Sequence, residues 1–232
     1  MKRFYKQVAV EQADRCWRVT LDGRAVKTPK RQLQLVPTQA LADALAQEWE
    51  QQGDEIDPKR LPMRDLADYT LDVVASDAPG IIASILPYAE TDTLCYRADP
   101  EEPLYRRQIE LWDPLLAQAE ARLGLTFERV CGIVHKPQPA ATLAAFKQQL
   151  EAQDAFTLAA TKTLASLAHS LVVALEALEE RADAEKLWAA ANAEEDWQAE
   201  QWGWEWTAEE RRARRLADFS MAIRFARLAQ QT

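Results

Sequence analysis

The sequence has 232 residues, of which 48% are hydrophobic and 28% charged, and its formal net charge at pH 7 is −9. A chain of this length and composition can bury a sizeable core, so disorder is not the default and one large or two unequal domains are expected. Its three cysteines lack the paired spacing of a disulfide framework or a structural zinc site, which favours a reducing compartment.

Charge is distributed unevenly along the chain. Residues 1–40 contain nine Lys and Arg against three acids, a balance of +6 that leaves −15 for the remainder. So acidic a body disfavours nucleic acid or an anionic membrane as the main partner, because phosphate binding depends on cations. No segment approaches the length of uncharged apolar chain that a membrane span needs. We therefore expect a soluble protein, without membrane insertion, whose partner carries basic patches.

The first segment alternates apolar and polar residues, as is typical of β-strands. Asp22-Gly23 predicts a tight hairpin turn before residues 24–28, because both central positions of such a turn need positive φ. Leu33 and Leu35 predict a further short strand. The apolar positions of the first two predicted strands are Phe4, Val8 and Val10, then Trp17, Val19 and Leu21.

The period changes at Thr38, which can cap a helix that ends near Gly53 and packs on the sheet. Residues 54–62 contain two prolines and mixed charge, which is typical of a linker. The predicted domains are therefore a strand-rich one with one helix, residues 1–62, and a helical one, residues 63–232. The predicted fold class is α+β, with a small N-terminal antiparallel sheet and a packed helix followed by a larger all-α bundle.

The rest of the sequence predicts helices. One begins near Leu66 and ends at Pro79-Gly80, and the next runs from Ile81 towards Cys95 with an interruption at Pro87. In the third, residues 104–123, Asp113-Pro114 either kinks the helix or restarts it.

Two helical predictions concern the C-terminal half. The broad apolar stripe of residues 161–181 predicts one helix at the buried centre of the bundle. Thr207 with Glu210 forms a capping box that opens the last helix.

Few residues suggest cofactor chemistry. The six glycines are isolated, so the usual phosphate-binding loops are absent from the sequence. His135 and His169 have no neighbouring ligand residues, which favours structural or surface roles. No cofactor and no metal are predicted.

One helix face nevertheless offers an alternative function. Asp65, Asp68 and Asp72, at i, i+3 and i+7, should share a face and could hold Mg²⁺ in a carboxylate-based, metal-dependent enzyme. A second acidic face and basic residues for phosphates are not evident, so a solvated or partner-facing stripe is the favoured interpretation.

A second acidic pair lies in residues 88–97, where Glu90 and Asp92 point in different directions on a helix. A glycosidase-like pair needs a fixed separation across a cleft, which sequence spacing alone does not establish. The simpler interpretation is an ion pair of Glu90 or Asp92 with Arg97 inside the bundle.

The third acidic concentration, residues 194–206, contains four of the eight tryptophans. Acids interleaved with large aromatic side chains suit a protein interface, where Trp anchors and charge sets specificity. Alternatively, Trp197 and Trp202 belong to the core and the acids are solvated.

The ordered motifs resemble the ATP synthase assembly chaperones specific for the α subunit, over about residues 4–218. The motifs that carry the resemblance are Leu21–Pro29; Glu48-Trp49 with Gln52, Ile56, Pro58 and Pro62; Tyr88, Glu90, Thr91, Asp92, Leu94, Tyr96 and Arg97; Trp112, Pro114 and Gly124; Ser170-Leu171 and Ala174-Leu175; and Glu194-Glu195, Gln198, Trp202-Gly203 and Glu205.

The resemblance implies a two-domain, non-enzymatic chaperone that binds the free α subunit of the soluble catalytic head until the β subunit replaces it. A monomer is expected. Ala25 stands where the family commonly has proline, and residues 204–209 lack the acid-and-histidine stretch of mitochondrial relatives. The partner-binding residues that the resemblance implies are Glu194, Glu195, Gln198, Trp202, Gly203 and Glu205.

The start of the sequence bears on localisation. A mitochondrial member should carry an Arg-rich presequence, whereas this chain enters its first predicted strand almost at once. A bacterial cytoplasmic protein is the expectation, and a processed protein of the mitochondrial matrix is the alternative.

Overall fold

The structure is a computed structural model, and it describes residues 1–132, 134–203 and 206–231. Its contacts form two compact units. The first contains residues 1–78, 154–160 and the end of the chain from Met221, and the second contains residues 79–153 and 161–220. The predicted domain division after residue 62 stays a prediction; by contacts, the helix that follows it groups with the first unit.

The first unit is built on a three-stranded antiparallel sheet of β1 (Val8–Ala13), β2 (Cys16–Leu21) and β3 (Arg24–Ala25), in that spatial order. Val8 lies opposite Leu21 in the β1–β2 register. The predicted hairpin turn is present, because Asp22 and Gly23 have φ values of 48° and 75°. The predicted short strand at Leu33 is reduced to an isolated bridge with Lys27.

Helix α1 (Gln39–Glu50) packs on β1 and β2. The Thr38 side chain caps it as predicted, accepting a hydrogen bond of 3.1 Å from the backbone N–H of Leu41. Residues 54–62 are not a free linker, since the N–H of Ile56 donates to the Met1 carbonyl at 2.7 Å and the Leu61 side chain is fully buried.

The described residues after α1 are predominantly helical and confirm the predicted fold class. A two-stranded parallel sheet joins β4 (Tyr96–Arg97) to β5 (Val130–Cys131). The helices are α2 (Pro62–Asp72), α3 (Ala78–Ile85), α4 (Pro87–Glu90), α5 (Pro103–Leu123), α6 (Ala140–Glu151), α7 (Ala155–Ala168), α8 (Leu171–Ala177), α9 (Ala184–Ala191), α10 (Ala193–Trp202) and α11 (Trp206–Gln230).

Two predicted helix boundaries differ from the structure, and one open alternative is decided. Pro79-Gly80 lies in the first turn of α3 and does not end the preceding helix, because proline is well tolerated where N–H groups lack partners anyway. Of the two alternatives at Asp113-Pro114, the restart is excluded, because helix α5 runs through Pro114. Helix α11 begins at Trp206, so Thr207 lies inside its first turn and is not the cap.

The predicted single helix over residues 161–181 was wrong in its continuity. The chain breaks after α7 at His169, whose φ is 50°, and Ser170 caps α8 by accepting from the N–H of Val173 at 3.0 Å. The predicted burial is confirmed at Leu164 and Leu171, which are both 0% exposed. The apolar periodicity continues across this position, so periodicity alone predicts one helix. The left-handed residue and the cap that follows it divide the segment into two helices.

Helices α5, α8 and α9 contact one another in the second unit. Trp112 of α5 is fully buried, and its indole N–H donates to the Ala190 carbonyl at 2.7 Å. A buried tryptophan needs a partner for that N–H group, so this bond fixes the rotation of α5 against α9.

Asp92 is fully buried and organises the start of α8. Its carboxylate accepts from the N–H groups of Leu94, at 3.1 Å, and Val172, at 3.0 Å. The predicted ion pair of Arg97 with Glu90 or Asp92 was wrong, because Arg97 pairs with Asp113. Loss of hydration raises the pKa of Asp92 to about 6, although the hydrogen bonds to its carboxylate oppose the shift.

Within the described part of the chain, no single helix is long and apolar enough to cross a membrane. The consecutive segments Pro62–Ser76 and Ala78–Cys95 meet that length and composition test only when taken together.

The substitution Asp92→Asn should flatten part of the pH dependence of stability. Between the unfolded pKa near 3.8 and the folded pKa of about 6, the native state binds more protons, so its stability falls as the pH rises. We expect the free energy of unfolding of the wild type, relative to the variant, to increase by about 1 kcal/mol from about pH 7 to about pH 5. Urea unfolding at both pH values measures this, and parallel profiles would contradict it.

Candidate functional site

The predicted partner-binding residues lie on and directly after α10. Three acids, Glu194, Glu195 and Asp196, occupy its first turn, where negative charge interacts favourably with the helix dipole. The helix ends at Gly203, whose φ of 83° suits glycine and whose N–H donates to the Ala199 carbonyl at 2.7 Å.

One side of α10 is bound to α5 through an amide. Gln108 is fully buried; its Nε2 group donates to Oε1 of Glu194 at 2.7 Å, and its Oε1 atom accepts from the N–H of Ala98 at 2.8 Å. Partial loss of water around the Glu194 carboxyl raises its pKa, and the bond from Gln108 acts in the opposite direction. Glu194 therefore contributes to the position of α10.

Two arginines complete the attachment of α10. Arg107 of α5 pairs with Glu200 at 2.5 Å, and its guanidinium lies 5.9 Å from the ring centre of Trp197. Arg212 of α11 makes a two-point contact with Asp196, with N–O distances of 2.7 and 2.6 Å. Planar two-point pairs fix geometry more strongly than single contacts, so α10 is held on two sides.

The side of α10 away from Asp196 and Glu200 carries exposed side chains. Glu195, Gln198 and Trp202, at i, i+3 and i+7, share one face and are exposed, with Trp202 80% accessible to water. Among the described residues, none of these three side chains has a hydrogen-bond or ion-pair partner. We call these three residues the outward face.

The six predicted site residues therefore divide by position. Three form the outward face, Glu194 turns towards Gln108, and Gly203 ends the helix. Glu205 lies outside the described residues. The alternative prediction of a buried Trp202 was wrong, because its indole is exposed.

The residues that hold α10 in place were not predicted from the sequence. Gln108 and Glu194 are 86 residues apart, and no local pattern links them. Arg107 and Arg212 have ordinary helical surroundings in sequence, so their acidic partners could not be assigned before the helices were packed.

Two of the three carboxylates of the alternative metal site on α2 accept hydrogen bonds from other side chains of the protein. Asp68 accepts from Gln34 at 2.7 Å, and Asp72 accepts from the Thr28 hydroxyl at 2.7 Å. Both carboxylates are 5% exposed, so the expected solvated or partner-facing stripe was wrong for them, and only Asp65 is exposed. No cluster of three or more His, Cys, Asp or Glu suited to a metal occurs in the part of the chain that the structure describes.

Comparisons with known proteins identify similar chains. A family model described as ATP12 chaperone protein matches residues 2–120. Atp12 from Paracoccus denitrificans is 34% identical with a TM-score of 0.93, over 99% of this chain and 98% of that one. The Atu1473 protein of Agrobacterium tumefaciens is 38% identical with a TM-score of 0.94, over 99% and 86%. Mitochondrial protein atp12 of Schizosaccharomyces pombe is 25% identical over 80% of this chain and 68% of its own length.

The neighbouring acids of α10 should differ in their effect on stability. Glu194→Lys removes the partner of the buried Gln108 amide, and we expect it to lower the free energy of unfolding by about 1 to 3 kcal/mol. Glu195→Lys reverses a neighbouring charge that has no partner among the described residues, and we expect a loss of about 0.5 kcal/mol. Urea unfolding of both variants measures the difference, and equal losses would contradict the role of the hydrogen bond between Gln108 and Glu194.

Proposed function

Because the chain belongs to the ATP12 chaperone family of ATP synthase assembly factors, we propose that it binds the free α subunit of the soluble catalytic head. In this role it covers apolar surface on the orphan subunit until the β subunit replaces it. Exposed interface of that kind aggregates when its natural partner is missing, which is why a reversible cover is useful.

The outward face of α10 is the observation that supports this proposal. Trp202 offers a large apolar surface at an exposure of 80%, next to the charge of Glu195 and the amide of Gln198. Tryptophan is the kind of side chain that dominates binding energy when a partner buries it, while a neighbouring charge speeds encounter and selects the partner.

The contacts that hold α10 in place preorganise the outward face for binding. Arg107 and Arg212 bind acids on the other side of the helix and Gln108 binds Glu194 at its flank, so the outward face is already formed before a partner arrives. Less conformational entropy is lost on binding to an ordered helix than to a flexible segment. We expect the partner to bind with little change in α10.

Net charge and similarity to known proteins support the proposed partner surface and cellular location. A balance of −15 beyond residue 40 suits a basic patch on the client and does not suit nucleic acid. The likeness to two bacterial proteins supports action in the bacterial cytoplasm. We expect a monomer without catalytic activity.

Capture of separately expressed subunits tests the client. Tagged wild-type chain should retain free α subunit and no free β subunit, and added β subunit should release the α subunit. A chain with Glu195→Lys and Trp202→Ala should retain at least about tenfold less α subunit, since burial of an anchor Trp contributes about 2 kcal/mol or more.

The matched control is Glu110→Lys, which reverses an exposed acid on α5. This variant should capture α subunit as the wild type does. Unchanged capture by the folded double variant would remove the outward face from the proposal. Wild-type chain that captures neither subunit would overturn the choice of client.

A further inference from the structure

A cavity of about 510 Å³ opens in the first unit, beside the hairpin turn and β3. Its floor is apolar and aromatic, formed by the buried side chains of Tyr5, Leu21, Val26 and Trp49. Cavities of about 300 to 1,000 Å³ with a mostly apolar lining and a few polar groups are typical ligand sites.

The rim of this cavity is basic, although the chain as a whole is acidic. Arg24 and Lys27 are exposed there, and among the described residues neither side chain has a hydrogen-bond or salt-bridge partner. Arg64 also lines the cavity, but Asp65 already pairs with it at 3.1 Å. Arg24 and Lys27 are therefore the cations of the lining whose side chains form no salt bridge among the described residues.

One acid, Asp22, also lines the cavity, and backbone groups hold its carboxylate in place. Asp22 accepts backbone hydrogen bonds from Lys6, at 3.1 Å, and from Gln7, at 2.8 Å. These bonds keep the pKa of Asp22 below its ordinary value. The charge of Asp22 acts on Arg24, but among the described residues no salt bridge joins Asp22 to Arg24 or Lys27, so an incoming carboxylate displaces none.

Phe4 adds an exposed apolar wall. Its side chain is 63% accessible and packs edge-on against Tyr5, with ring centres 5.3 Å apart. An aromatic ring so exposed beside an aromatic floor favours a ligand that brings an apolar group of its own.

A backbone edge adjoins the same cavity. Arg24–Ala25 forms one edge of the three-stranded sheet, and the chain beyond it pairs with residues 33 and 34. The exposed edge is therefore two residues long, which suits a short contact with an extended chain.

We propose that this cavity binds an extended peptide segment in which a carboxylate side chain adjoins a bulky apolar one. The carboxylate interacts with Arg24 and Lys27, the apolar side chain lies between Phe4 and the aromatic floor, and the segment runs along β3. This site shares no residue with the outward face, and it takes a partner segment of opposite charge to the one expected there.

The test uses the full chain and one defined probe, the peptide acetyl-Gly-Ser-Phe-Glu-Leu-Ser-Gly-amide, in isothermal titration calorimetry at low salt. Binding should weaken at least about tenfold when Glu in the probe is replaced by Gln, because the charge contact is lost. It should weaken about fivefold in the Phe4→Ala chain, which loses an apolar wall without changing a buried residue.

Charge variants supply the matched comparison. Arg24→Glu with Lys27→Glu should weaken binding at least about tenfold, whereas Arg15→Glu with Lys59→Glu, an equal change at exposed positions outside the lining, should leave it within about twofold. Equal losses in the two double variants would overturn the site, as would no binding of the probe by the wild type.

Equally tight binding of free 3-phenylpropionate would overturn the peptide assignment in favour of a small organic acid. Dimerisation that competes with the probe would assign the cavity to a second copy of the chain.

Discussion

The amide of Gln108 determines what α10 can present. It is fully buried and satisfied on both sides, by the N–H of Ala98 and by the Glu194 carboxylate. A buried amide without partners is costly, so the helix has one favoured rotation. In that rotation Glu195 and Trp202 are exposed, and the proposed recognition of a client depends on their exposure.

Carboxylates do most of the internal positioning in this acidic chain. Asp92 holds the start of α8, Asp72 holds Thr28, and Asp196 holds Arg212. The acids that sequence inspection singles out as possible chemistry are thus mainly ligands for the protein's own N–H, hydroxyl and guanidinium groups. A carboxylate such as Glu195, which has no such partner in the described part of the chain, is the better candidate for an intermolecular role.

Local signals were predictable and distant ones were not. Asp22-Gly23 and the Thr38 cap follow from neighbours within a few residues, and both are confirmed. The shared face of Glu195, Gln198 and Trp202 also follows from helical spacing, once a helix is assumed. The different positions of Glu194 and Glu195 could not be predicted, because they depend on which side of α10 meets α5. The prediction of one continuous helix through His169 failed for a related reason. The apolar stripe continues through this position, but the hydrogen bond from the Val173 N–H to the Ser170 side chain starts a new helix there.

The exposure of Trp202 also has a colloidal consequence. An indole that is 80% accessible would attract the same group on another copy of the chain. Like charge opposes that encounter, because each copy carries a net charge of −9. The repulsion acts over a screening length of about 8 Å at physiological ionic strength and shortens as salt rises. Ionic strength therefore determines how strongly charge repulsion opposes self-association of the chain while Trp202 is exposed for its partner.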